Sequence, residues 1–249
     1  MSPTLYHVPK TISSPIYQSL IELGVANKDV AVKTLTFPDL KKPDHLARNP
    51  MGTSPAFTDE ANGIAIWESG AVLTYLLEEY DTEFKLHPQP GKATKKDRAT
   101  FLHLQQFIIA TVYPFLASLF IHTLKPEEKQ DESYVATAKG KWRTQLAPVL
   151  VNFLGKNQYF MGDKVSAIDL LAGKPLNNAN SLGILEEFPT LHSLFQKVHC
   201  MPSFAEAYNE TETHKSCHEC RSMLLLPGDN ETVGSTKMSR DLKVGGLND

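Results

Sequence analysis

The sequence predicts a fold of two parts, a small α/β unit followed by an all-helical unit. Strand-like and helical segments alternate through the first third of the chain. From residue 97 onward, every periodic segment has helical spacing instead. Between these parts, residues 81–96 are polar and contain Pro88, Pro90 and Gly91, a composition typical of a connection. We predict four regions: an α/β domain over 1–82, a linker over 83–96, a helical domain over 97–215 and a mobile tail over 216–249.

The first unit follows the order βαβ, a short helical segment, then ββα. Its first helix is expected to end at Gly24, because glycine commonly closes helices. Asn62 and Gly63, between the last two strands, form a hairpin signal. The expected strands are residues 4–8, 30–37, 56–58 and 64–67, and the expected helical segments are residues 14–23, 41–48 and 69–80.

The second unit is predicted to contain only helices. Pro114 predicts a kink in the first of them, and Pro175 predicts a bend in a later one. Ser166 and Asp169 form a variant of the capping box, with Asp in the place of the usual Glu or Gln. The expected helices are residues 97–124 and 127–154, a helix that opens at residue 166, and residues 190–198 and 203–208.

Bulk composition excludes several classes of function. The chain has 249 residues and a net charge of -3, so it lacks the basic footprint of a nucleic-acid-binding protein. Its first residues do not combine a charged segment with an apolar one, so we expect no secretory signal. Polar residues and a proline interrupt the most membrane-like stretch, residues 101–124, which we predict to be a buried helix. Three cysteines, none before Cys200, form no disulfide framework and suit the cytoplasm.

Two neighbouring segments predict an edge that holds a small peptide. Residues 49–57, NPMGTSPAF, combine a tight turn with the Ser54-Pro55 bond, and residues 64–70, IAIWESG, lead from a strand into a helix. A cis Ser54-Pro55 bond would turn the backbone N–H and C=O of Ser54 toward a ligand. Glu68 and Ser69, where the helix begins, would add a carboxylate, a hydroxyl and free N–H groups. Together these groups suit a zwitterionic amino-acid end.

These motifs resemble those of the cytosolic glutathione S-transferases, over roughly residues 4–208. NPMGTSPAF resembles the family's loop with the cis-proline, and ESGAVLTYLLEEY resembles its Glu-Ser motif and third helix. GDKVSAIDL resembles its buried capping box, and LKKPDHLARNP resembles its segment near the glycine carboxylate of glutathione. The resemblance implies a thioredoxin-like N-terminal domain, an all-α C-terminal domain and a homodimer.

The resemblance also implies an activity. A cytoplasmic transferase would activate the glutathione thiol as a thiolate for attack on small apolar electrophiles, which is a detoxification reaction. Glutathione would be a co-substrate, and no metal, nucleic acid or membrane would take part. Two alternatives stay open: a non-catalytic relative that uses the fold to bind partners, and a glutathione-dependent isomerase or peroxidase.

The resemblance further implies which residues bind glutathione. They are Lys41, Lys42, Thr53, Ser54, Pro55, Glu68 and Ser69. One of the two lysines would approach the glycine carboxylate, because Leu40 stands where some classes of the family carry a histidine. The Ser54 backbone would pair with the cysteinyl part, and Glu68 and Ser69 would bind the γ-glutamyl end.

The hydroxyl that activates the thiol has four candidates, which are Ser13, Tyr6, Thr11 and Ser14. Counted back from Gly24, Tyr6 falls where the tyrosine-type classes carry their tyrosine. Lys10 falls where the serine-type classes carry a serine, so a change in loop length brings Thr11 or Ser13 into that role. Ser13 also precedes a predicted helix start, where N–H groups point outward. As alternatives, Ser13 or Ser14 is a helix cap, and Tyr6 is a core aromatic. Without a cysteine in the first domain, thiol-transferase chemistry is disfavoured.

A pocket for the electrophile is expected between the small domain and the first helices of the second. Its predicted lining is His7, Phe107, Thr111, Tyr113 and Phe115. An aromatic stripe at helical spacing is equally typical of a helix core, and this alternative stays open.

The tail carries a motif of metal-ligand composition. His214, Cys217, His218 and Cys220 form the segment HKSCHEC. A structural zinc site normally closes with two separated pairs of ligands, and this chain has no second cluster. We therefore predict no metal at this motif.

Overall fold

A four-stranded sheet forms the first part of the molecule. The computed structural model describes residues 2–210, and its strands lie in the order β2-β1-β3-β4. β1 runs parallel to β2 and antiparallel to β3, while β3 and β4 form the predicted hairpin. The strands are β1 (Thr4–His7), β2 (Ala31–Thr34), β3 (Ala56–Asp59) and β4 (Ile64–Trp67).

Three helices cover this sheet. They are α1 (Ser14–Glu22), α2 (Pro43–Arg48), which follows a 3₁₀ turn at Pro38–Lys41, and α3 (Ser69–Tyr80). Successive strand residues face opposite sides of a sheet. In β1, Leu5 therefore belongs to the main core, while Tyr6 faces α2 and lies under the Arg48 guanidinium, 4.5 Å from the ring centre. The result is the thioredoxin-like domain that the sequence predicts, and its cis Ser54-Pro55 bond is present as well.

The second part of the molecule is helical, as predicted. Its first helix begins at Lys95, two residues earlier than expected, because Thr94 and Asp97 form a capping box that the sequence analysis did not identify. A 3₁₀ turn at Glu127–Lys129 precedes α6, so this helix begins later than expected. The helices are α4 (Lys95–Phe107), α5 (Tyr113–Thr123), α6 (Glu132–Lys141), α7 (Ala147–Leu154), α8 (Ala167–Ser181), α9 (Pro189–His199) and α10 (Pro202–Ala207).

Two pairs of these helices are each joined by a single turn of π-helix. The turn Ile108–Val112 joins α4 to α5, and the turn Trp142–Leu146 joins α6 to α7. A proline follows each turn by two residues, Pro114 in one case and Pro148 in the other. Since proline cannot donate the helical hydrogen bond, a local change of winding accommodates it. The kink predicted at Pro114 thus takes the form of a π turn.

The two parts share one hydrophobic core. α1 packs against both α8 and α10, so the first helix of the sheet domain is covered by helices from the far end of the chain. Tyr17 of α1 donates a hydrogen bond to Glu206 of α10, at 2.6 Å between oxygens. α1 is therefore held from both domains, which fixes its position beside the sheet.

Within residues 2–210, the continuous helix Lys95–Thr123 is long and apolar enough to cross a membrane, by length and composition alone. Core helices of soluble proteins meet the same criterion, and 33% of its most apolar window is buried in this chain. The predicted tail and the HKSCHEC motif lie outside the described residues.

Candidate active site

The sheet register brings the predicted binding segments together at one end of the sheet. Ala56 of β3 pairs with both Tyr6 of β1 and Trp67 of β4. Because both pairings are antiparallel, Ser54, two residues before Ala56, lies opposite the chain that follows β1 and beside the start of α3. A hydrogen bond of 3.2 Å from the Val8 N–H to Ser54 Oγ confirms the first of these contacts.

The turn before Pro55 is fixed by two buried side chains. The C=O of Thr53 accepts hydrogen bonds from His45 Nε2 at 2.8 Å and from Asn49 Nδ2 at 3.0 Å. Among the described residues, neither the N–H nor the C=O of Ser54 has a hydrogen-bond partner. Sequence reasoning did not identify His45 or Asn49, although the Asn49-Pro50 pair was a signal for a supported turn. The backbone of Ser54 is therefore held firmly and available to a ligand.

Glu68 and Ser69 lie at the N-terminus of α3, as predicted. Glu68 has a φ of 77°, in the left-handed region that a non-glycine residue rarely adopts. No side chain caps this helix, and its first turn contains no acidic residue. The Glu68 carboxylate forms no ion pair within residues 2–210. The helix end therefore offers free N–H groups and partial positive charge next to an exposed carboxylate.

The two candidate lysines have different surroundings. Lys41 Nζ donates to the C=O of Gly52 at 2.9 Å. Gly52 has a φ of 58°, and a Cβ atom there would lie 2.9 Å from the backbone C=O of Leu40, so this position requires glycine. Lys42 is exposed and pairs with Asp39 at 2.7 Å, which raises the pKa of its ammonium. Of the two, Lys41 lines the cavity described below.

Three of the four candidate hydroxyls are buried within the protein. Tyr6 is packed between the sheet and α2. Ser14 Oγ accepts a hydrogen bond from the Lys10 N–H at 2.9 Å. Ser13 is 0% exposed, and its oxygen lies 2.8 Å from His7 Nδ1 and 3.0 Å from the Val8 C=O, to which it donates. Ser13, which the sequence favours because it precedes a helix start, is thus enclosed by the protein.

Thr11 is the partly exposed member of the set. Its hydroxyl donates to the Val8 C=O at 2.8 Å and lies 2.8 Å from Ser13 Oγ. It also lines a cavity of about 360 Å³, a volume in the usual range for a small-molecule site. The cavity is lined by Thr11, Phe37, Leu40, Lys41, Gly52, Thr53, Ser54 and Tyr113.

The predicted electrophile pocket is only partly assembled at this cavity. Tyr113 lines it, and burial raises the pKa of its phenol while the nearby Ile12 N–H acts in the opposite direction. His7 is 1% exposed and does not line this cavity, because its ring is enclosed between Ser13 and Tyr17. Phe107 and Phe115 pack against the core, and Thr111 is exposed outside this cavity. Phe37, with 67% of its surface exposed, is an apolar wall that the sequence did not indicate.

Comparison with known proteins identifies family models in both parts of the chain. The model "Glutathione S-transferase, N-terminal domain" matches residues 1–78, and "Glutathione S-transferase, C-terminal domain" matches residues 112–202. The glutathione S-transferase-like protein OpS6 of Beauveria bassiana is 32% identical over 142 residues, 55% of this chain and 61% of that protein. Glutathione S-transferase 1 of Schizosaccharomyces pombe is 47% identical over 55 residues, 20% of this chain and 24% of that protein. The matches thus span less than two thirds of these relatives.

Solved structures match over a larger part of the chain. Glutathione transferase URE2P8 of Phanerochaete chrysosporium, in a crystal structure with oxidized glutathione, is 25% identical. That match covers 87% of this chain and 97% of that one, with a TM-score of 0.70. A second structure that matches in fold is a glutathione transferase homolog of Lodderomyces elongisporus with two glutathione molecules per subunit. It is 20% identical, the match covers 84% of this chain and 98% of that one, and the TM-score is 0.71. Among residues 2–210, no group of three or more potential metal ligands occurs.

Proposed function

We propose, because this chain belongs to the glutathione S-transferase family, that it binds glutathione at the end of the sheet and transfers it to small apolar electrophiles. The thiol would lose its proton to solvent, and the thiolate sulfur would attack an electrophilic carbon. With an aryl halide, a carbon–sulfur bond forms and the carbon–halogen bond breaks, which releases halide. The observation that carries this proposal is that Thr11 Oγ1 and the unpartnered backbone of Ser54 border the same cavity.

Binding would use the groups that lack protein partners. The backbone N–H and C=O of Ser54 suit the cysteinyl part of glutathione, in the manner of a short β-pairing. Glu68 suits the ammonium of the γ-glutamyl end, and the N-terminus of α3 with the Ser69 hydroxyl suits its carboxylate. Lys41, at the opposite side of Ser54, suits the glycine carboxylate. This arrangement places the thiol near Thr11.

Thr11 would activate the thiol. A free thiol has a pKa of about 8.5, so most glutathione is protonated at neutral pH. Lowering that pKa by about 2 units requires about 2.7 kcal/mol of preference for the thiolate. One hydrogen bond to a charged group supplies about 1.5–3 kcal/mol. A single donated bond from Thr11 Oγ1, supported by the positive end of α1, is therefore sufficient in size.

The electrophile would bind against Phe37 and Tyr113. Both line the cavity that contains Thr11, and Phe37 presents a large exposed apolar surface. Apolar contact would hold the electrophile close to the sulfur, so part of the rate enhancement would come from proximity. The Tyr113 hydroxyl stands ready to donate to negative charge that develops on the electrophile.

Substitution at Thr11 tests this function. Conjugation of glutathione to an aryl halide is measured for the wild type, Thr11→Val, Thr11→Ser and Ser14→Ala, together with glutathione binding by calorimetry. We expect Thr11→Val to lower kcat/KM by about 10- to 100-fold with binding nearly unchanged, since it removes only the hydroxyl. Thr11→Ser and Ser14→Ala should keep most of the activity. Wild-type turnover by Thr11→Val would overturn the role of Thr11.

One observation favours a second candidate, a glutathione-binding protein without transferase activity. In the described geometry, the Thr11 hydroxyl donates inward to the Val8 C=O, at 2.8 Å. If it remains there when glutathione binds, no hydroxyl stabilises the thiolate. Tight binding of glutathione, with no conjugation of aryl halides and a thiol pKa near its value in water, would support this alternative.

The proposed assembly is a soluble cytoplasmic homodimer. An apolar groove runs between α3 and α4, and Leu102 at its edge is 44% exposed. A second copy packed on this groove would remove the exposed Leu102 side chain from water. Sedimentation should detect a dimer in the wild type and a monomer in Leu102→Glu. Val149→Glu, at an exposed position of α7, should stay dimeric, and a monomeric wild type would overturn the assembly.

A further inference from the structure

A second cavity lies along α5, apart from the one that contains Thr11. It is an open groove of about 520 Å³ between α5 and the start of α6. Its apolar wall consists of Pro114, Ala117 and Ile121, whose spacing places them on one face of the helix. Ile121 is 61% exposed, so this wall faces water. At about 1.5 Å per helical residue, the wall is about 10 Å long, which suits a short hydrocarbon chain.

The polar end of this groove contains a histidine whose tautomer is fixed. The Asp131 N–H donates to His122 Nε2 at 2.8 Å. A backbone N–H can only donate, so Nε2 carries no proton and the imidazole proton is on Nδ1. The His122 ring also packs against the Tyr134 ring, with 4.7 Å between their centres, and the Tyr134 hydroxyl lies 3.1 Å from Ser118 Oγ. The Nδ1–H is therefore held in one direction.

Lys125 brings a second donor to the same place. Its Nζ lies 3.2 Å from His122 Nδ1, which carries a proton and so cannot accept from the ammonium. Lys125 forms no ion pair within residues 2–210. Glu127 and Glu128 follow in the next turn, but neither lines the groove. Two donors thus lie side by side with no acceptor among the described residues.

The common structural role of a lysine at this position is already filled. Lysine near the C-terminus of a helix often donates to the last carbonyl groups. At the end of α5, the C=O groups of residues 120–123 already accept from other groups. These donors are the Thr123 hydroxyl, the N–H groups of Leu124 and Lys125, and Gln130 Nε2. The Lys125 ammonium is therefore available to a ligand.

We infer that this groove binds a small amphipathic acid. The two oxygens of its carboxylate accept from His122 Nδ1–H and from the Lys125 ammonium, which are charge-assisted hydrogen bonds. Its hydrocarbon chain lies along Ala117 and Ile121, and this contact removes apolar surface from water. The site is separate from the proposed glutathione site, so it does not depend on transferase activity.

Octanoate and 1-octanol test this inference, because they share a chain length and differ in charge. NMR titration of the full-length protein follows the Ile121 methyl groups and the imidazole nitrogens of His122. Octanoate should shift both sets of signals and bind about tenfold more tightly than 1-octanol, which lacks the charged acceptor. Before any ligand is added, the His122 proton should be found on Nδ1.

Two pairs of variants separate the charged contact from the apolar one. Lys125→Met should weaken octanoate binding by about five- to tenfold and leave 1-octanol binding nearly unchanged. Lys129→Met makes the same change of charge at an exposed lysine outside the groove, so its effect should stay below about twofold. Ile121→Ser should weaken both ligands by about fivefold, whereas Leu124→Ser, at a more exposed position outside the lining, should weaken neither.

Several results would overturn the inference. Equal affinity for octanoate and 1-octanol would remove the carboxylate contact, and a His122 proton on Nε2 would remove the donor. Shifts at Phe37 with none at Ile121 would place the acid in the cavity that contains Thr11. Binding to phosphatidylglycerol vesicles without binding to dissolved octanoate would assign the groove to a membrane surface. Loss of an oligomer in Ile121→Ser, detected by sedimentation, would assign the groove to a second copy of the chain.

Discussion

Two buried polar clusters stand at helix N-termini in this molecule, one before α1 and the other before α8. In the second, Asp169 accepts from the Ser166 hydroxyl at 2.6 Å and from the N–H groups of Ser166 and Phe160, each at 2.8 Å. Every donor there has a buried acceptor. In the first, the Ser13 hydroxyl is enclosed in the same way, but its neighbour Thr11 borders a cavity. A closed network fixes structure, whereas a network with one exposed member can act on a ligand.

The largest expected effect is on the closed cluster. Asp169→Ala removes three hydrogen bonds and leaves two buried N–H groups and a hydroxyl without acceptors, so it should lower the free energy of unfolding by about 3 kcal/mol. Urea denaturation measures this loss. In the folded fraction, the thiol pKa of bound glutathione should match that of the wild type. A shifted thiol pKa would break the contrast between the two clusters.

A matched control exists within the same chain. Thr94 and Asp97 form the same kind of capping box at the start of α4, but both are exposed to solvent. Water replaces the lost hydrogen bonds there, so Asp97→Ala should lower the free energy of unfolding by about 0.5–1 kcal/mol. Equal losses for the two substitutions would show that burial does not set the strength of this motif.

The next effect concerns stability at acid pH. Burial lowers the pKa of His7 from 6.5 to about 4, against the opposing effect of the Ala207 and Ser13 backbones. The unfolded chain therefore binds a proton below pH 6.5 that the folded chain does not bind until about pH 4. Stability from this group is full above pH 6.5 and is lost as pH falls toward 4, by about 3 kcal/mol in total.

Comparison of the wild type with His7→Phe isolates this effect. Burial raises the pKa of Asp169 to about 6, so the contribution of this carboxyl to stability increases as pH falls. The wild type alone would therefore show only the sum of the His7 and Asp169 effects. The difference between the two proteins in free energy of unfolding should decrease as pH falls from 6.5 to 4. A difference independent of pH would mean that His7 titrates normally in the folded protein.

The sequence predicts the parts of the site that depend on local backbone conformation. The Ser54-Pro55 turn, the start of α3 at Ser69 and the capping box at Ser166 are each defined by a few adjacent residues. Local propensity specifies such features, since capping and turn formation involve neighbours along the chain. The order of elements follows from the same signals, while bounds such as the start of α4 at Lys95 and the end of β2 at Thr34 differ from the prediction by a few residues.

Side-chain direction could not be predicted in the same way. Thr11 and Ser13 are two residues apart, and Ser13 turns inward because His7, at the end of a strand, provides a partner there. Likewise, His45 reaches Thr53 across a turn, a contact that no local pattern specifies. The exposure of Phe37 depends on how the 3₁₀ turn after β2 packs against the rest of the domain. Each case depends on tertiary packing, which overrides local preference.

The smallest expected effect applies the same contrast to two adjacent lysines. Lys42 is held by Asp39, while Lys41 borders the cavity and bonds only a backbone carbonyl, so Lys41 can turn to a ligand carboxylate without leaving an unpaired acid. Lys41→Ala should weaken glutathione binding by about fivefold, and Lys42→Ala by less than twofold, since exposed ion pairs contribute little. Calorimetric titration at low salt measures both, and added salt should reduce the Lys41 effect. A larger loss of glutathione affinity in Lys42→Ala than in Lys41→Ala would contradict this contrast. It would show that Lys42 can leave its ion pair with Asp39 to bind the ligand, and that bordering the cavity does not by itself make Lys41 a binding group.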